Sequence, residues 1–346
     1  MSVMMVIVAM SEEDGRRWSE FIKTLPHASH YHRWGWKQVI EDAFGWPTYY
    51  LMAEEAGQTV GVLPLVWQKS RLFGSFLTSL PFLSGGGVAA RSQAVEEGLV
   101  QEASALARRL NVSHVELRYR RKPQLELPCK TSKVAVVRPV EPNGEKMLRE
   151  LPHKVRSDVR KVLKSEMSAE FGGEEFLRDF YRLFAINMRN LGTPVYSRGF
   201  YRSMLRVFPN DCFVCLVRHR GKPIAGSFLM GYRDTLEAGW SSSLYEYLAL
   251  KPNMFLYWNI LCFAGERGYR TFDFGRSTID SGTYRFKMQW GSQVVPLYWA
   301  YWLASGDSPP ELNPNNPKYR LAIGLWRHLP VTVTNLLGPT IARCLP

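Results

Sequence analysis

Cysteine is scarce in this chain, and its placement excludes a disulfide-stabilised secreted domain. Five cysteines stand in 346 residues, an odd number without the regular spacing of such domains. Cys212 and Cys215 have the spacing of a zinc or redox pair, but the residues between them are apolar, and no second pair or histidine cluster accompanies them. We therefore expect buried structural thiols, no metal site and a reducing compartment.

Long hydrophobic runs and the sequence motifs of several enzyme classes are also missing. No apolar run reaches the ~18 residues that a membrane-spanning helix needs. The short apolar start, residues 1–10, lacks the basic residues of a signal peptide, so we expect a first strand there and a cytoplasmic protein. Gly-x-Ser-x-Gly, His-Glu-x-x-His and Walker sequences do not occur, which argues against serine hydrolases, zinc proteases and P-loop nucleotide hydrolases.

Acidic residues are outnumbered mainly in the second half of the chain. Residues 146–346 carry 27 Lys and Arg against 16 Asp and Glu, whereas residues 1–145 carry 17 against 15. A polyanion would therefore be drawn to the second half. RNA, a nucleotide-linked or pyrophosphate-linked substrate and an anionic membrane face all fit this charge.

The element pattern predicts two related α+β halves. Residues 153–303 read as two helices, three antiparallel strands, a buried helix, a strand, a polar loop and a last long strand at 294–303, and residues 1–137 show a similar order. We predict an N-terminal domain at 1–145, a C-terminal domain at 146–305, and a Pro/Asn linker with a helical tail at 306–346. The tail either packs on the body or lies on a membrane surface.

Two segments of the second half carry most of the chemistry. After Pro152 a predicted helix has valines on one face and basic residues on the other, which is either a solvated basic face or a phosphate clamp. The predicted strand at 271–274 ends at Gly275, and a predicted loop follows it. Several polar residues lie in this loop or just after it. Those residues are Arg276, Asp280, Ser281, Arg285 and Lys287.

These residues resemble a known family. Phe-Asp-Phe-Gly-Arg at 272–276 and Gly-Thr-Tyr-Arg-Phe-Lys-Met-Gln-Trp-Gly at 282–291 resemble the signature of the Fem-type (FemAB/FemX-like) transferases. The resemblance covers roughly residues 30–303. The C-terminal tail and the motif at 282–291 are most similar to the FemAB-related proteins of exosortase/PEP-CTERM exopolysaccharide systems. It implies an α+β chain of two tandem GNAT-like domains (the acyl-CoA N-acyltransferase fold), with mixed central sheets flanked by helices.

The resemblance also implies an activity and a set of site residues. Fem-type enzymes transfer an aminoacyl group from a charged tRNA to an amino group of a peptidoglycan precursor, and other relatives are acyltransferases. The family's Phe-Lys pair lies at the reaction centre, and basic residues of the helix after the domain boundary meet precursor phosphates. The matching positions are Phe286 and Lys287 for the pair, Lys154, Arg156 and Arg160 for the helix, and Lys37 in the first domain as a further phosphate contact.

The residue types suit such chemistry. Acyl transfer to an amine builds an oxyanion, which a cation such as Lys287 stabilises, and the same ammonium could protonate a leaving ribose hydroxyl. Arg276 and Arg285 can each bind a phosphate or carboxylate through two hydrogen bonds. Tyr284 is a candidate for orienting the substrate. Asp280 is either a general base or a turn-forming acid.

The acyl donor stays open between aminoacyl-tRNA and acyl-CoA, and no permanently bound cofactor is expected. Coenzyme A would need an Arg/Gln-x-x-Gly-x-Gly/Ala loop at a helix N-terminus, but residues 250–254 stand in its place. That difference weighs against acetyl-CoA.

We therefore expect aminoacyl transfer to an amino group of a cell-envelope or exopolysaccharide precursor. One alternative is an acyl-CoA-dependent N-acyltransferase acting on an amino sugar or small molecule; another is a non-catalytic RNA-binding or membrane-associated protein. The expected partners are a phosphate-bearing precursor, tRNA and, at the periphery, the inner membrane. The substrate site is expected between the halves, lined by the basic helix and residues 275–287.

Overall fold

The structure is a computed structural model and describes residues 4–70, 74–306, 308–310 and 317–344, without the side chains of 317–320. The chain forms two compact units. Unit 1 combines Met1–Lys133 with Pro296–Glu311 and Cys344–Pro346, and unit 2 combines Val134–Val295 with Leu312–Arg343. This division differs from the expected boundaries at 145 and 305, because the last strand belongs to unit 1 and the division comes at residue 133.

Both units combine helices and strands. Through residue 139 they are β1 (Met5–Ala9), α1 (Glu12–Thr24), α2 (Trp36–Phe44), β2 (Thr48–Glu55), β3 (Gln58–Ser70), β4 (Gly74–Thr78), β5 (Ala89–Ala90), α3 (Gln93–Arg109), β6 (His114–Tyr119), β7 (Cys129–Lys130) and β8 (Lys133–Pro139). They continue with α4 (Gly144–Glu150), α5 (His153–Val162), β9 (Met167–Gly172), α6 (Glu174–Leu191), α7 (Arg198–Val207), β10 (Cys212–His219), β11 (Lys222–Tyr232), β12 (Thr235–Ser243), α8 (Pro252–Glu266), β13 (Thr271–Thr278), α9 (Gly282–Met288), β14 (Gln293–Pro296), β15 (Tyr298–Leu303), α10 (Pro317–His328) and α11 (Val331–Ala342).

Unit 1 is built on a mixed sheet with the strand order β1-β2-β3-β4-β6-β15-β7, and β5 pairs with β3. β4 and β6 run parallel, with Leu77 opposite Val115, while β6 and β15 run antiparallel. The apolar face of α3 packs on this sheet through residues such as Leu99 and Ala103. Ser11 begins α1 with a capping box that Asp14 completes, which satisfies backbone donors at the helix start.

Unit 2 is built on a second mixed sheet with the order β14-β8-β13-β12-β11-β10-β9. β12 and β13 run parallel, whereas β10 to β12 form the three predicted antiparallel strands. β9, which the sequence pattern did not predict, pairs antiparallel with β10. α8 is apolar on nearly every side and buried in the core against this sheet, as its sequence predicts. α6 ends at Leu191, and Gly192 after it has the left-handed conformation that is common for a glycine at a helix C-terminus. Cys212 and Cys215 are buried on β10.

Several predicted boundaries were wrong around the proposed site. β13 continues past Gly275 to Thr278, and residues 282–288, expected in and after a loop, form α9 instead. The strand expected at 294–303 is two strands, β14 and β15, in different sheets, and β14 ends at Pro296. Proline has no backbone N–H for a ladder, which favours a strand end there.

The tail is helical, as predicted, but it consists of two helices. α10 ends at His328 and α11 begins at Val331 after Pro330. Part of the predicted linker, residues 307 and 311–316, lies outside the described residues.

Candidate functional site

The site forms where the two parallel strands of unit 2 stop pairing. β12 and β13 are paired only over Thr235–Glu237 and Thr271–Asp273, although both strands continue for several residues. Gly239 is an extra residue in β12, since Leu229 pairs with Ala238 and Phe228 with Trp240. A bulge of this kind bends the strand and redirects its side chains.

Gly275 allows β13 to stay close to β12 beyond the last paired residue. Its φ is +75°, and a Cβ at this position would lie 2.9 Å from the Ala238 carbonyl oxygen. Its N–H donates to a carboxylate oxygen of Asp273 at 2.7 Å. Only glycine combines this backbone conformation with this close approach at low cost.

Lys287 reaches this strand end from α9. Ser281 caps the helix, because its hydroxyl accepts from the Tyr284 N–H at 3.2 Å. The Lys287 Nζ donates to the carbonyl oxygens of Gly275 and Arg276, both at 3.0 Å. These bonds use two of the three N–H donors of an ammonium. Lys287 is only 8% exposed, so the ammonium is held in the fold.

The surroundings of Lys287 lower its basicity while keeping it cationic near neutral pH. Burial lowers the pKa of Lys287 to about 8, against the opposing effect of the Asp273 and Glu237 carboxylates, and Arg276 lowers it further. Glu237 and Asp273 lie opposite each other in the parallel ladder and are 6% and 1% exposed. An ammonium with this pKa can donate a proton more readily than an ordinary lysine.

The other predicted residues of this segment lie around Lys287 in different settings. Phe286 is partly buried, with its ring centroid 5.5 Å from that of Tyr257. Arg276 and Tyr284 are half-buried, whereas Arg285 is exposed. Their roles in substrate binding stay predictions.

Asp280 occupies the turn between β13 and α9. It is exposed, and its φ is +62°, a conformation that aspartate tolerates better than most residues. This geometry agrees with the turn-forming interpretation, and its role as a general base stays a prediction.

The basic helix α5 has the expected two faces. Val155, Val159 and Val162 are buried in the unit 2 core. On the opposite side a depression of about 230 Å³ is lined by His153, Arg156, Ser157, Arg160, Lys161 and Lys164. The side chains of Lys154 and Arg160 are exposed, and Arg156 donates to the Arg149 carbonyl oxygen at 2.8 Å. This face can bind phosphate oxygens with several cations at once.

The start of α8 is occupied by protein groups. A 3-10 helix, Tyr245–Leu250, precedes it, and Pro252 is its first residue. Lys251 adopts a φ of +54° and its Nζ donates to Asp158 of α5 at 2.7 Å. Since proline has no N–H, the first turn offers one backbone donor fewer to a phosphate group.

Lys37 belongs to unit 1 and already has polar partners there. Its Nζ contacts Glu41 and donates to the Thr48 hydroxyl at 2.9 Å. Its role as a phosphate contact stays a prediction.

Unit 1 also has a cavity of about 190 Å³ at the glycine loop 85–87. Of the arginines that line it, Arg118 is paired with Glu116 at 2.6 Å and Arg121 with Glu96 at 3.1 Å. These carboxylates offset much of the positive charge at this cavity.

The described residues contain neither a metal-binding cluster nor a membrane-spanning helix. Within residues 4–70, 74–306, 308–310 and 317–344, no group of three or more His, Cys, Asp or Glu could hold a metal ion. In the same part of the chain, no helix is both long and apolar enough to cross a bilayer.

Comparison with known proteins identifies the fold. Residues 151–288 match the family model of the acetyltransferase (GNAT) domain. The chain has the tandem GNAT fold. A search of curated proteins found no match. The predicted α+β fold class with two GNAT-like domains is therefore confirmed, and the family match indicates a GNAT-type acyltransferase.

Three solved structures support the fold assignment at low sequence identity. FemX has a TM-score of 0.65 at 14% identity, over 92% of this chain and 100% of FemX. The C-terminal domain of a protein described as a lysylphosphatidylglycerol synthetase, from Agrobacterium fabrum, has a TM-score of 0.56 at 12% identity, over 85% and 93% of the two chains. A tandem GNAT protein from the clavulanic acid pathway has a TM-score of 0.53 at 11% identity, over 90% and 100%.

Sequence reasoning missed the polar residues that β12 brings to this GNAT-fold site. Glu237 lies opposite Asp273, and Ser241 hydrogen-bonds with Tyr257. Farther along β12, Ser242 accepts from Asn187 of α6 at 3.1 Å. The run of three serines at the end of a predicted strand was the available signal, since loops and strand ends often carry functional groups.

Proposed function

We propose that this chain is an acyltransferase that transfers an aminoacyl group to an amino group of a cell-envelope or exopolysaccharide precursor. Lys287 would act at the reacting carbonyl. The proposal includes the Fem-type assignment, with the FemAB-related proteins of PEP-CTERM systems as the nearest subfamily. It also includes a cytoplasmic location with peripheral contact to the inner membrane.

The observation that carries the proposal is the buried Lys287 ammonium at the end of the parallel pair. The Gly275 and Arg276 carbonyls orient it and leave one N–H for a substrate. A donor fixed in a buried site stabilises a developing oxyanion more than a mobile surface lysine does, because it needs no reorganisation during the reaction. In the transfer the acceptor nitrogen bonds to the acyl carbon, and the ester C–O bond to the tRNA ribose breaks. The same N–H can pass its proton to that leaving ribose oxygen, and the proton that the acceptor nitrogen loses to solvent balances the one that solvent returns to neutral Lys287.

Aminoacyl-tRNA is the favoured donor over acyl-CoA because of the start of α8. In this fold a pyrophosphate would bind backbone N–H groups at that helix end. Here Pro252 removes one N–H, and Lys251 is held by Asp158. The structural neighbours described as FemX and a lysylphosphatidylglycerol synthetase also favour an aminoacyl group.

The acceptor is proposed to carry phosphate because of the cationic face of α5. Arg156, Arg160 and Lys161 line one open depression, and several cations on one face recognise a phosphate or diphosphate better than a neutral sugar.

The donor question is tested by giving the purified full chain either labelled aminoacyl-tRNAs or acetyl-CoA, with an extract of nucleotide-linked and lipid-linked precursors as acceptor. We expect transfer from aminoacyl-tRNA, products visible by mass spectrometry, and no micromolar binding of coenzyme A by calorimetry. Lys287→Met should slow transfer by at least about 100-fold, whereas Lys146→Met, a change of an exposed lysine on α4, should leave the rate unchanged.

Two results would contradict the proposal. Micromolar coenzyme A binding together with transfer only from acetyl-CoA would favour an acyl-CoA-dependent N-acyltransferase. Salt-dependent tRNA binding with no transfer from either donor would favour a non-catalytic RNA-binding protein.

A further inference from the structure

The two tail helices of unit 2 are packed on α6 along one side only. Thr334, Gly338 and Ala342 of α11 are buried, and a Cβ on Gly338 would lie 3.1 Å from the Val195 backbone nitrogen. Close backbone packing therefore fixes α11 in place. The Arg327 guanidinium also donates to the Leu191 carbonyl oxygen at 3.3 Å and holds α10 beside the end of α6.

The outward side of these helices is apolar and exposed. Leu321 and Leu325 of α10 are 68% and 63% exposed, and Leu336 and Leu337 of α11 are 77% and 45% exposed. α11 contains no charged residue, and residues 317–344 carry four Lys and Arg but no Asp or Glu. An exposed group of large apolar side chains in a purely cationic segment is typical of an interaction surface.

A cavity of about 520 Å³ lies between α11 and α6 beside this surface. Arg178, Arg182 and Arg198 line it, and none of the three forms an ion pair with a carboxylate among the residues that the structure describes. Asn335 of α11 also lines it, and its side-chain oxygen is buried without a hydrogen-bond partner in the described part of the chain. Apolar atoms of Val331 complete the wall.

We propose that this surface, formed by α10, α11 and the arginine cavity, docks on an anionic phospholipid bilayer. The exposed leucines would enter the boundary between headgroups and acyl chains, and a lipid phosphate would enter the cavity and meet the three guanidinium groups. This inference rests on the membrane contact included in the proposed function and assigns a surface to it. Neither part of this surface takes part in the chemistry proposed for Lys287, so a loss of docking and a loss of transfer are measured separately.

The charge of this surface favours a membrane over a protein partner. A bilayer with anionic lipids presents continuous negative charge above an apolar layer, which matches exposed leucines in a segment whose only charged residues are cationic. A protein partner would need both an apolar patch and an array of acids with the same spacing. The cavity size also suits a headgroup better than a side chain from a flat protein surface.

The test is cosedimentation of the full chain with vesicles of phosphatidylglycerol and phosphatidylcholine in equal parts, compared with phosphatidylcholine alone. We expect binding to the anionic vesicles only, weakened by high salt. Replacing Leu336 and Leu337 by Glu should lower the partition constant at least about tenfold. Replacing Arg178, Arg182 and Arg198 by Ala should lower it by about fivefold for each arginine.

Matched controls change the same residue types elsewhere. Met10→Glu alters an exposed apolar side chain of unit 1, and Arg220→Ala removes an exposed arginine of unit 2; neither should change partitioning. Circular dichroism of each variant checks folding, and the arginine variants test the cavity even if the leucine variants fold poorly.

Three results would overturn the proposal. The first is equal binding to vesicles with and without phosphatidylglycerol. The second is unchanged binding of either well-folded variant set. The third is a shift from oligomer to monomer in the leucine variants without any vesicle binding by the wild type, which would assign the surface to a second copy of this chain.

Discussion

Replacing Lys287 by Met should change how stability depends on pH, and this effect needs no substrate. The folded pKa of Lys287 is about 8, below its ordinary value of 10.5. Between these values the unfolded chain binds a proton that the folded chain does not, so the contribution of Lys287 to the free energy of unfolding rises with pH. Below pH 8 the buried ammonium is therefore a constant penalty.

The loss of stability caused by the buried ammonium can be worked out from the lowering of the Lys287 pKa. A difference of about 2.5 pKa units corresponds to about 3 kcal/mol. Met removes the charge but leaves the Gly275 and Arg276 carbonyls without their ammonium donor, which costs about 1 kcal/mol for each carbonyl. At neutral pH the variant should thus be about as stable as the wild type or slightly more stable. At pH 10.5 the wild type should have gained about 3 kcal/mol relative to the variant.

Urea unfolding of both proteins from pH 7 to pH 10.5 measures this difference, and the other titrating groups cancel between them. Lys146→Met provides a control that lacks this rise, since a hydrogen bond and ion pair with Glu141 raise the pKa of Lys146 above its ordinary value of 10.5. The stability from that exposed pair is therefore present throughout this pH range and is lost only as pH rises further. A difference between wild type and Lys287→Met that stays constant with pH would refute the burial of the Lys287 charge.

Three further predictions concern the fold and the phosphate face. Gly275→Ala should lower the free energy of unfolding by more than about 1 kcal/mol, because this residue has a positive φ and a new Cβ would contact the Ala238 carbonyl oxygen. Gly268→Ala is the control, since Gly268 also has a positive φ but no atom lies within 4 Å of a new Cβ, and it should lower the free energy of unfolding by less. Equal losses in the two variants would contradict the close approach at Gly275. Glu116→Gln should cost about 3 kcal/mol in urea unfolding, because it breaks a buried ion pair with an arginine; a loss within experimental error would contradict that role. Arg160→Ala should raise the acceptor KM roughly tenfold with little change in kcat, and an unchanged KM would remove it from the site.

Much of the unit 2 fold could be predicted because its elements are long and periodic. The apolar spacing of residues 174–191, followed by Gly192, predicts α6, and the sequence after Pro252, which is apolar on nearly every side of a helix, predicts a buried α8. α9 was missed because a helix of two turns has little periodicity, although Ser281 is a recognisable cap. Gly275 was taken as a strand end because a glycine within a strand gives the same signal as a turn.

The site itself was only partly predictable. The importance of Lys287 came from a resemblance, and its burial depends on a helix that the sequence did not indicate. Glu237 could not be placed, because its position opposite Asp273 depends on a parallel pairing between strands separated by a whole helix. Such pairing is fixed by the sheet as a whole and not by local sequence.

The central claim is that the Lys287 ammonium promotes acyl transfer, and the pH dependence of the single-turnover transfer rate tests it most directly. The protonated form is the active one, so the wild-type rate should fall as pH rises through about 8. Lys287→Met should be slower by at least about 100-fold at neutral pH and should lack this fall. A variant rate close to that of the wild type, with the same pH profile, would contradict the claim.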